Sequence, residues 1–386
     1  MTSELLTDIG ELTTLVEPRR HDAALVIDDG RIAWIGQAAA APDCDRRTSV
    51  EGRAVLPGWI DSHTHLVFAG DRSAEFEARM AGQDYAAGGI ATTVRATRAA
   101  TDAELAGTLA RLRAEAERGG TTFLETKTGY GLDVETERRS AEIARAGADV
   151  VTFLGAHLVP EALDGIGMRD YLDLVTGPML TAVRPFVDFI DVFCEEGAFD
   201  PEQSREVLLA GRAAGLGLRV HGNQLGESGG VALAVELGAA SVDHCGHLSG
   251  GDIDALADSS TVATVLPACD ISTRQPFAPA RALLDAGATL AIASNCNPGS
   301  SYTTSMQFCV ATAVLQMGLG IEEAVRAATV GGAIALGRDE GPDAVGRLRV
   351  GGRADLQLLD APSIAHLAYR PGVPLTIGTW VRGVRR

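Results

Sequence analysis

The histidines of this chain are placed where several of them could bind one metal ion. His63 and His65 are two residues apart, a spacing that puts both imidazoles on one face of an extended segment. Other histidines follow further short apolar runs, namely His157, His221 and His244. Neutral imidazoles that converge on one point are usual ligands of zinc or iron. The pattern predicts a metal centre with His221 as the third nitrogen donor; the alternative is a set of core or surface histidines without a metal.

The elements that would position these histidines alternate between short apolar runs and alanine-rich helical stretches. The predicted strands are residues 54–60, 121–125, 150–154, 186–193, 218–220, 240–242, 261–266 and 289–293. The predicted helices between and after them include residues 103–118, 135–146, 201–214, 229–237 and 321–336. Eight strand–helix units of this size favour a parallel (β/α)8 barrel of the TIM type over an open sheet. Active sites of such barrels lie at the C-terminal ends of the strands, which is where the histidines stand.

Both ends of the chain indicate a second, smaller domain made of strands. Residues 24–36 contain two apolar runs around Asp29-Gly30, a dipeptide typical of a two-residue hairpin turn. Residues 346–360 and 375–381 have a similar pattern. We therefore expect an α/β protein in which residues 1–56 and 346–386 form a small β-sandwich domain and residues 57–345 form the barrel.

Composition excludes several classes of function. The 386 residues carry 33 basic and 51 acidic side chains, a formal charge of −18, which opposes binding to nucleic acid or to an anionic membrane. No apolar run approaches the ~20 residues that span a bilayer. The six cysteines are scattered and form no Cys-x-x-Cys pair, so we expect reduced thiols and a cytoplasmic protein.

One basic residue is unusual by its type. All the basic residues are arginines except Lys127. It is either a solvated loop lysine or a lysine retained where a site needs a compact ammonium group. We favour a structural or electrostatic role in the site.

The residues from Pro57 to His65, Pro-Gly-Trp-Ile-Asp-Ser-His-Thr-His, resemble the opening of the amidohydrolase superfamily. Its members are metal-dependent hydrolases on this barrel, with a small β-domain built from both chain ends. Within the superfamily, the chain resembles the imidazolonepropionases nearly from end to end. The matching segments are HLVFAGDR at 65–72, ETKTGYGL at 125–132, TFLGAH at 152–157, DVFCE at 191–195, DH at 243–244 and NPG at 297–299.

This resemblance implies an activity and a cofactor. The reaction would be hydrolysis of the cyclic amide of 4-imidazolone-5-propanoate to N-formimidoyl-L-glutamate in histidine degradation. His63, His65 and His221 would hold one zinc or iron ion, which activates water. The partner would be a small-molecule substrate with a carboxylate side chain, and the family implies a homodimer. Another cyclic amide or amidine hydrolase, or a deaminase of the same superfamily, is the nearest alternative.

The resemblance also implies substrate-binding residues. Arg72 would pair with the substrate carboxylate, Tyr130 would donate its hydroxyl, and His157 would hydrogen-bond the ring substituents and is a candidate to stabilise the oxyanion. Taken alone, these three residues are equally well read as a surface ion pair, a core or rim aromatic and a structural histidine. The loop after the eighth strand would contribute further contacts through Asn297, Gly299 and Ser300.

Two positions depart from the family pattern. The fifth strand ends in His221-Gly-Asn-Gln224 instead of His-Ala-Asp-Glu or His-Ala-Glu-Gln, and we assign Gln224 to substrate binding because an amide cannot act as a base. The eighth strand usually ends in an aspartate that ligates the metal and takes the proton from its water, but this chain has Asn295. We keep Asn295 as a metal ligand and part of the catalytic pair, although an amide is neutral, ligates weakly and accepts no proton at neutral pH.

Three consequences of Asn295 are open. Metal affinity falls; or water activation passes to His244, whose ordinary pKa near ~6.5 suits a base; or the protein binds its ligand with little or no turnover. Our mechanism assigns the proton transfer to His244, with Asn295 beside it.

Overall fold

The computed structural model describes residues 3–82, 89–160 and 164–386. They fall into two compact units, one made of residues 1–61, 114–123 and 305–386 and the other of residues 62–113 and 124–304. The domain boundaries expected from the sequence, after residues 56 and 345, stay a prediction.

The strands of the described residues supply two sheets. In chain order they are β1 Glu4–Leu12, β2 Arg20–Asp28, β3 Arg31–Gln37, β4 Arg46–Ser49, β5 Ala54–Pro57, β6 Trp59–Asp61, β7 Thr121–Lys127, β8 Val150–Ala156, β9 Phe189–Cys194, β10 Gly217–Gly222, β11 Ser241–His244, β12 Val262–Val265, β13 Leu290–Ile292, β14 Leu356–Leu359, β15 Thr376–Val381 and β16 Val384–Arg385.

The helices of the described residues mostly follow barrel strands. They are Ser73–Met80, Ile90–Ala99, Asp102–Arg118, Val134–Gly147, Met168–Leu174, Leu180–Val183, Pro201–Ala213, Gly230–Glu236, Gly250–Ala257, Pro267–Thr273, Ala280–Ala286, Met306–Gln316, Ile321–Arg326, Gly332–Ala335 and His366–Tyr369. Single π-helical turns join two of these pairs, at Val175–Met179 and Ala327–Gly331. Short 3-10 turns lie at Ala38–Ala40 and Arg184–Phe186. None of these helices is long and apolar enough to cross a membrane.

The first sheet contains strands from both ends of the chain, as expected. Its order is β16-β15-β14-β5-β1-β2-β3, and β4 pairs with the beginning of β1. The predicted hairpin is present between β2 and β3, with φ of 46° at Asp29 and 74° at Gly30, the left-handed values that a tight hairpin turn of this kind requires. Alternating residues are buried on opposite faces, for example Leu6 and Leu25 on one face and Val26 on the other.

The second sheet confirms the predicted (β/α)8 barrel. Its order is β13-β12-β11-β10-β9-β8-β7-β6, and the successive strands run parallel. The segments that follow its first and last strands hydrogen-bond to each other, since Asn295 N–H donates to the carbonyl of His63 (3.0 Å) and His65 N–H to that of Cys296 (2.9 Å). The C-terminal ends of the strands therefore surround one point.

The run of residues 54–60, predicted as one strand, divides at Gly58. Residues before it form β5, which pairs with β1 and β14, and residues after it begin the barrel as β6. The Gly58 N–H donates to the carbonyl of Asp355 (3.1 Å), and a Cβ at residue 58 would lie 2.1 Å from the Thr122 side chain. Only glycine allows this close approach.

Candidate active site

Four imidazoles meet at the C-terminal ends of the barrel strands. His63 and His65 follow β6, His221 lies near the end of β10, and His244 ends β11. The ring centroid of His63 lies 5.2 Å from that of His65, 4.5 Å from that of His221 and 5.7 Å from that of His244. All four side chains are buried. Residues that are up to 181 positions apart in the chain thus share one site because the strands that carry them close into a barrel.

The nitrogen atoms are close enough for a shared ligand. One nitrogen each from His63, His221 and His244 lie within 4.8 Å of one another, and Nε2 of His65 lies 3.3 Å from Nε2 of His63. Two nitrogens bound to one tetrahedral ion at about 2.0–2.1 Å are about 3.3–3.4 Å apart. Nε2 of His221 is buried and has no hydrogen-bond partner among the described residues, a state that a bound ion would relieve. The residues present fit a metal ion.

The backbone at two of these strand ends has a costly conformation. His244 has φ of 84° and Asn295 has φ of 56°, both in the left-handed region that non-glycine residues seldom adopt. Such residues concentrate at functional sites, where the surrounding structure compensates for the strain. Here they bring the His244 ring and the Asn295 amide to the same cavity.

Two buried aspartates face the outer nitrogens of the histidines. Oδ2 of Asp243 lies 2.7 Å from Nδ1 of His63, and Oδ2 of Asp191 lies 3.0 Å from Nδ1 of His221. A carboxylate next to Nδ1 holds the proton on that nitrogen and leaves the lone pair on Nε2. Asp243 therefore sets the tautomer in which Nε2 of His63 could bind a metal, and Asp191 lies close enough to favour the same tautomer of His221.

Lys127 lies beneath this arrangement, and its interpretation as a solvated loop residue is wrong. Its side chain has no exposed surface, and Nζ lies 2.9 Å from Oε1 of Glu125, 3.0 Å from Oδ2 of Asp191 and 3.8 Å from Oδ2 of Asp243. Arg219, also fully buried, lies 3.0 Å from Oδ2 of Asp243. Three carboxylates against two cations leave one negative charge below the imidazoles, which favours a cation among them.

These charges and the burial shift the pKa values of the site. Burial alone raises the pKa of both Asp191 and Asp243, but neighbouring groups outweigh it and hold both pKa values below their usual range. His221 and then Lys127 lower the pKa of Asp191, whereas Arg219, His63 and then Lys127 lower that of Asp243. Both aspartates are therefore ionised at neutral pH.

The pKa values of the imidazoles are lowered, which is the direction that metal binding requires. Burial lowers the pKa of His63, His65 and His244 well below the ordinary value, and it lowers the pKa of His157 to about 4. These rings are neutral at neutral pH, so their lone pairs are available.

A cavity beside the imidazoles contains most of the side chains that the resemblance assigned to the substrate. Its lining includes Arg72, Tyr130, His157, Gln224, Asn297 and Ser300. Gly299 contacts the guanidinium of Arg72, because a Cβ at residue 299 would lie 2.1 Å from Nη1. A side chain at residue 299 would therefore displace the guanidinium from this position.

Arg72 already has a carboxylate partner within the protein. Its Nε donates to Oε2 of Glu75 (2.9 Å) and its Nη2 to Oε1 of the same residue (2.6 Å). Glu75 was missed in the sequence, although its position three residues along the next helix is the spacing at which side chains meet. The pair orients the guanidinium at the cavity wall.

His157 differs from its expected role in one respect. Its Nδ1 lies 2.9 Å from the carbonyl of Gly129, which can only accept, so Nδ1 carries the proton. The neutral ring then offers Nε2 as an acceptor and cannot donate to an oxyanion. His157 is suited to accept a hydrogen bond from a ring N–H, and its ring centroid lies 5.5 Å from that of Tyr130.

Some polar groups of the loop after β13 hydrogen-bond within the loop, and others face the cavity. Oδ1 of Asn297 accepts the N–H of Gly299 (2.8 Å), which shapes the turn. Nδ2 of Asn295 lies 3.1 Å from the Ser300 hydroxyl, whereas its Oδ1 is buried without a hydrogen-bond partner in the described part of the chain. The amide oxygen of Asn295 is therefore the group that could face a metal ion.

Comparisons with known proteins agree with this geometry. The model of the amidohydrolase family matches residues 195–385. An imidazolonepropionase of Saccharopolyspora erythraea is 68% identical over 387 residues, covering 100% of this chain and 99% of that protein. An imidazolonepropionase of Arthrobacter sp. (strain FB24) is 61% identical over 400 residues, covering 99% of each chain. The crystal structure of an adenosine deaminase from Xanthomonas campestris with bound zinc has the same fold, with a TM-score of 0.73 at 19% identity over 99% of this chain and 92% of that one.

Proposed function

The chain belongs to the imidazolonepropionase family, and we propose that it hydrolyses the cyclic amide of 4-imidazolone-5-propanoate to N-formimidoyl-L-glutamate, a step of histidine degradation. The observation that carries the proposal is a cluster of four buried imidazoles, three of which offer nitrogens within 4.8 Å of one another, beside a cavity that contains an arginine. The imidazoles supply the chemistry that opens an amide, and the arginine matches the acidic side chain of this substrate.

His63, His65 and His221 would hold one zinc or iron ion, with Oδ1 of Asn295 as a weak fourth donor. When bound, the ion supplies a hydroxide nucleophile at neutral pH and polarises the carbonyl group of the amide. All of these donors are neutral, and the compensating negative charge comes from the layer beneath, where Asp191 and Asp243 face two of the imidazoles. His244 stands beside this centre, because one of its nitrogens lies within 4.8 Å of nitrogens of His63 and His221, and we assign its lone pair to proton transfer.

His244 would move the proton from the attacking water to the leaving ring nitrogen. The ring is neutral because burial lowers its pKa, so it can accept a proton. Asn295 can orient a water through Oδ1 but cannot take its proton.

Different residues would recognise the two ends of the substrate, its carboxylate and its ring. Arg72 would bind the propanoate carboxylate with its guanidinium, which Glu75 and Gly299 hold in place. The Tyr130 hydroxyl would donate to the substrate, and Nε2 of His157 would accept from a ring N–H. Gln224, Asn297 and Ser300 line the remaining wall and would supply amide and hydroxyl contacts.

Three finer points belong to the same proposal. We place the protein in the cytoplasm, with support from six free cysteines in the described structure. We expect a homodimer by analogy with the family. The net charge of −18 supports a small-molecule partner and opposes a nucleic acid.

The decisive experiment measures metal content and imidazolone hydrolysis on one preparation. We expect about one zinc or iron per chain, loss of the imidazolone ultraviolet absorbance on mixing, and loss of turnover after chelation that is reversed by adding either ion. A preparation without metal that binds product tightly and does not consume imidazolone would favour the ligand-binding alternative raised by Asn295.

A further inference from the structure

The loop that carries Tyr130 wraps around one buried carboxylate. Residues 128–132 connect β7 to the helix Val134–Gly147, and Glu137 lies near the start of that helix with no exposed surface. Its carboxylate accepts the backbone N–H groups of Gly129 (3.0 Å), Gly131 (2.7 Å) and Leu132 (2.9 Å). One side chain therefore satisfies the donors on both sides of Tyr130.

The loop is too tight to keep this shape without such an anchor. Gly129 has φ of 109° and Leu132 has φ of 54°, both in the left-handed region. A Cβ at residue 131 would lie 2.7 Å from the backbone nitrogen of Glu137, so the loop presses directly on the helix. A leucine in a left-handed conformation is strained, and the surrounding contacts must offset that strain.

Carbonyl groups of the same loop are held from other directions. Arg98, on the helix Ile90–Ala99, donates to the carbonyls of Gly131 (2.7 Å) and Leu132 (3.2 Å). The carbonyl of Gly129 accepts Nδ1–H of His157. The backbone that flanks Tyr130 is thus held by protein groups before any ligand binds.

This arrangement places two candidate substrate contacts. The Tyr130 ring is buried in the cavity wall, with its centroid 6.0 Å from that of His65 and 5.5 Å from that of His157. Because Nδ1 of His157 donates its proton to the carbonyl of Gly129, Nε2 of the same ring is an acceptor. Ordering backbone during binding costs conformational entropy and weakens affinity, and here the loop is already ordered in the folded protein.

We propose that Glu137 is a positioning residue for substrate recognition, which acts by fixing residues 129–132 so that the Tyr130 hydroxyl and Nε2 of His157 stand ready for the substrate. This inference rests on the proposed function, because it takes Tyr130 and His157 as groups that contact the imidazolone substrate. Glu137 itself touches only the loop in the contacts described above.

The test replaces the carboxylate with an amide of the same size. Glu137→Gln exchanges an acceptor oxygen for an NH2 group, which would face the N–H groups of the loop. We expect KM for 4-imidazolone-5-propanoate to rise about tenfold or more, while kcat changes less than about threefold and metal content stays the same, because the variant weakens binding and leaves the histidines in place.

A double-mutant cycle separates positioning from general stability. If Glu137 acts through Tyr130, the increase in KM of the Glu137→Gln, Tyr130→Phe double variant falls clearly short of the product of the two single increases. Effects of Glu137→Gln and Tyr130→Phe that multiply independently overturn the proposal. A lower Tm with unchanged KM overturns it as well, since it shows a purely structural role.

Two further measurements complete the design. Glu135→Gln, a change on the first turn of the same helix at an exposed side chain, is the matched control and should leave KM within about twofold of the parent value. Amide hydrogen exchange at Gly129, Gly131 and Leu132 should accelerate in Glu137→Gln. Unchanged exchange would contradict the role of Glu137 in holding this loop, and the measurement needs no substrate. If Glu137→Gln does not fold, Glu137→Asp, a shorter carboxylate, takes its place in the same cycle. An unmodified protein that does not hydrolyse the imidazolone rejects the proposed function, whereas an active one with independent effects rejects this inference alone.

Discussion

The ammonium nitrogen of Lys127 lies 3.0 Å from Oδ2 of Asp191, and neither side chain has exposed surface. The same oxygen of Asp191 lies 3.0 Å from Nδ1 of His221. One carboxylate oxygen therefore lies between the lysine and an imidazole of the candidate metal centre. A compact ammonium group suits this place, since the planar guanidinium of arginine would need more room. We therefore expect Lys127 to influence the orientation of His221 through the Asp191 carboxylate, without contacting the imidazole.

Replacing Lys127 with methionine should lower both stability and metal content. The change leaves the Glu125 and Asp191 carboxylates buried without the cation between them, and breaking a buried ion pair in this way costs about 3–5 kcal/mol. Urea unfolding measures the stability, and elemental analysis of the purified protein measures the metal per chain.

The matched comparison is Arg138→Met, which removes an ion pair at the surface. Arg138 lies 2.8 Å from Glu142 with both side chains about half exposed, so the loss should be under about 1 kcal/mol. Equal losses in Arg138→Met and Lys127→Met would contradict the role assigned to the buried lysine.

The barrel and its first two ligands could be predicted because their signals are local. His63 and His65 are two residues apart, and the alternation of apolar runs with helical stretches needs no knowledge of distant contacts. The division of residues 54–60 at Gly58 could not be predicted, because it depends on β14, which pairs with β5 from the other end of the chain.

The charged layer beneath the histidines was only partly visible in the sequence. Arg219 interrupts an otherwise apolar strand two residues before His221, a spacing that puts both on the same face, and this signal was available. The ion pair between Arg219 and Asp243 could not be predicted, because it forms across neighbouring strands and depends on the register of the sheet. The close approach of Gly299 to the Arg72 guanidinium was equally invisible, since Arg72 comes from a distant segment.

Asn295→Asp should improve both metal binding and turnover. A carboxylate at this position adds a negative oxygen donor where Oδ1 of the amide now has no hydrogen-bond partner among the described residues, and it can also accept a proton from water. We expect metal affinity to rise about tenfold or more, measured by competition with a chromophoric chelator, together with a higher kcat. Gln37→Glu makes the same change of charge at an exposed residue of β3 and is the control. If Asn295→Asp improves neither quantity, our account of Asn295 is wrong.

Arg72→Met should weaken substrate binding without removing the metal. A charge-assisted pair with the substrate carboxylate contributes about 2–3 kcal/mol, so KM should rise roughly 30- to 150-fold. Metal content should stay the same, because Arg72 lies on the cavity wall and pairs with Glu75. Arg169→Met, which removes an exposed arginine that pairs with Glu206, should leave KM unchanged. An unaltered KM in Arg72→Met would remove the main reason for an acidic substrate.

Acid should destabilise the metal-free protein in a window defined by His157. Burial lowers the pKa of this imidazole from 6.5 to about 4 in the folded state. Between these two pH values the unfolded chain binds a proton that the folded protein does not, so the free energy of unfolding falls as the pH is lowered through the window. His157 alone accounts for about 3 kcal/mol once the pH is below both values, and the lowered pKa values of His63, His65 and His244 act in the same direction.

Replacing the ring with a residue that does not titrate should reduce this dependence. Between pH 6.5 and pH 5, His157→Gln should lose about 2 kcal/mol less stability than the parent protein, as measured by urea unfolding of chelator-treated samples at each pH. His21→Gln removes an exposed histidine of the terminal sheet and serves as the control. Identical pH profiles for His157→Gln and the parent would mean that folding does not lower the pKa of His157, which would contradict a ring that stays neutral well below pH 6.5, with Nδ1 donating to the carbonyl of Gly129 and Nε2 free to accept.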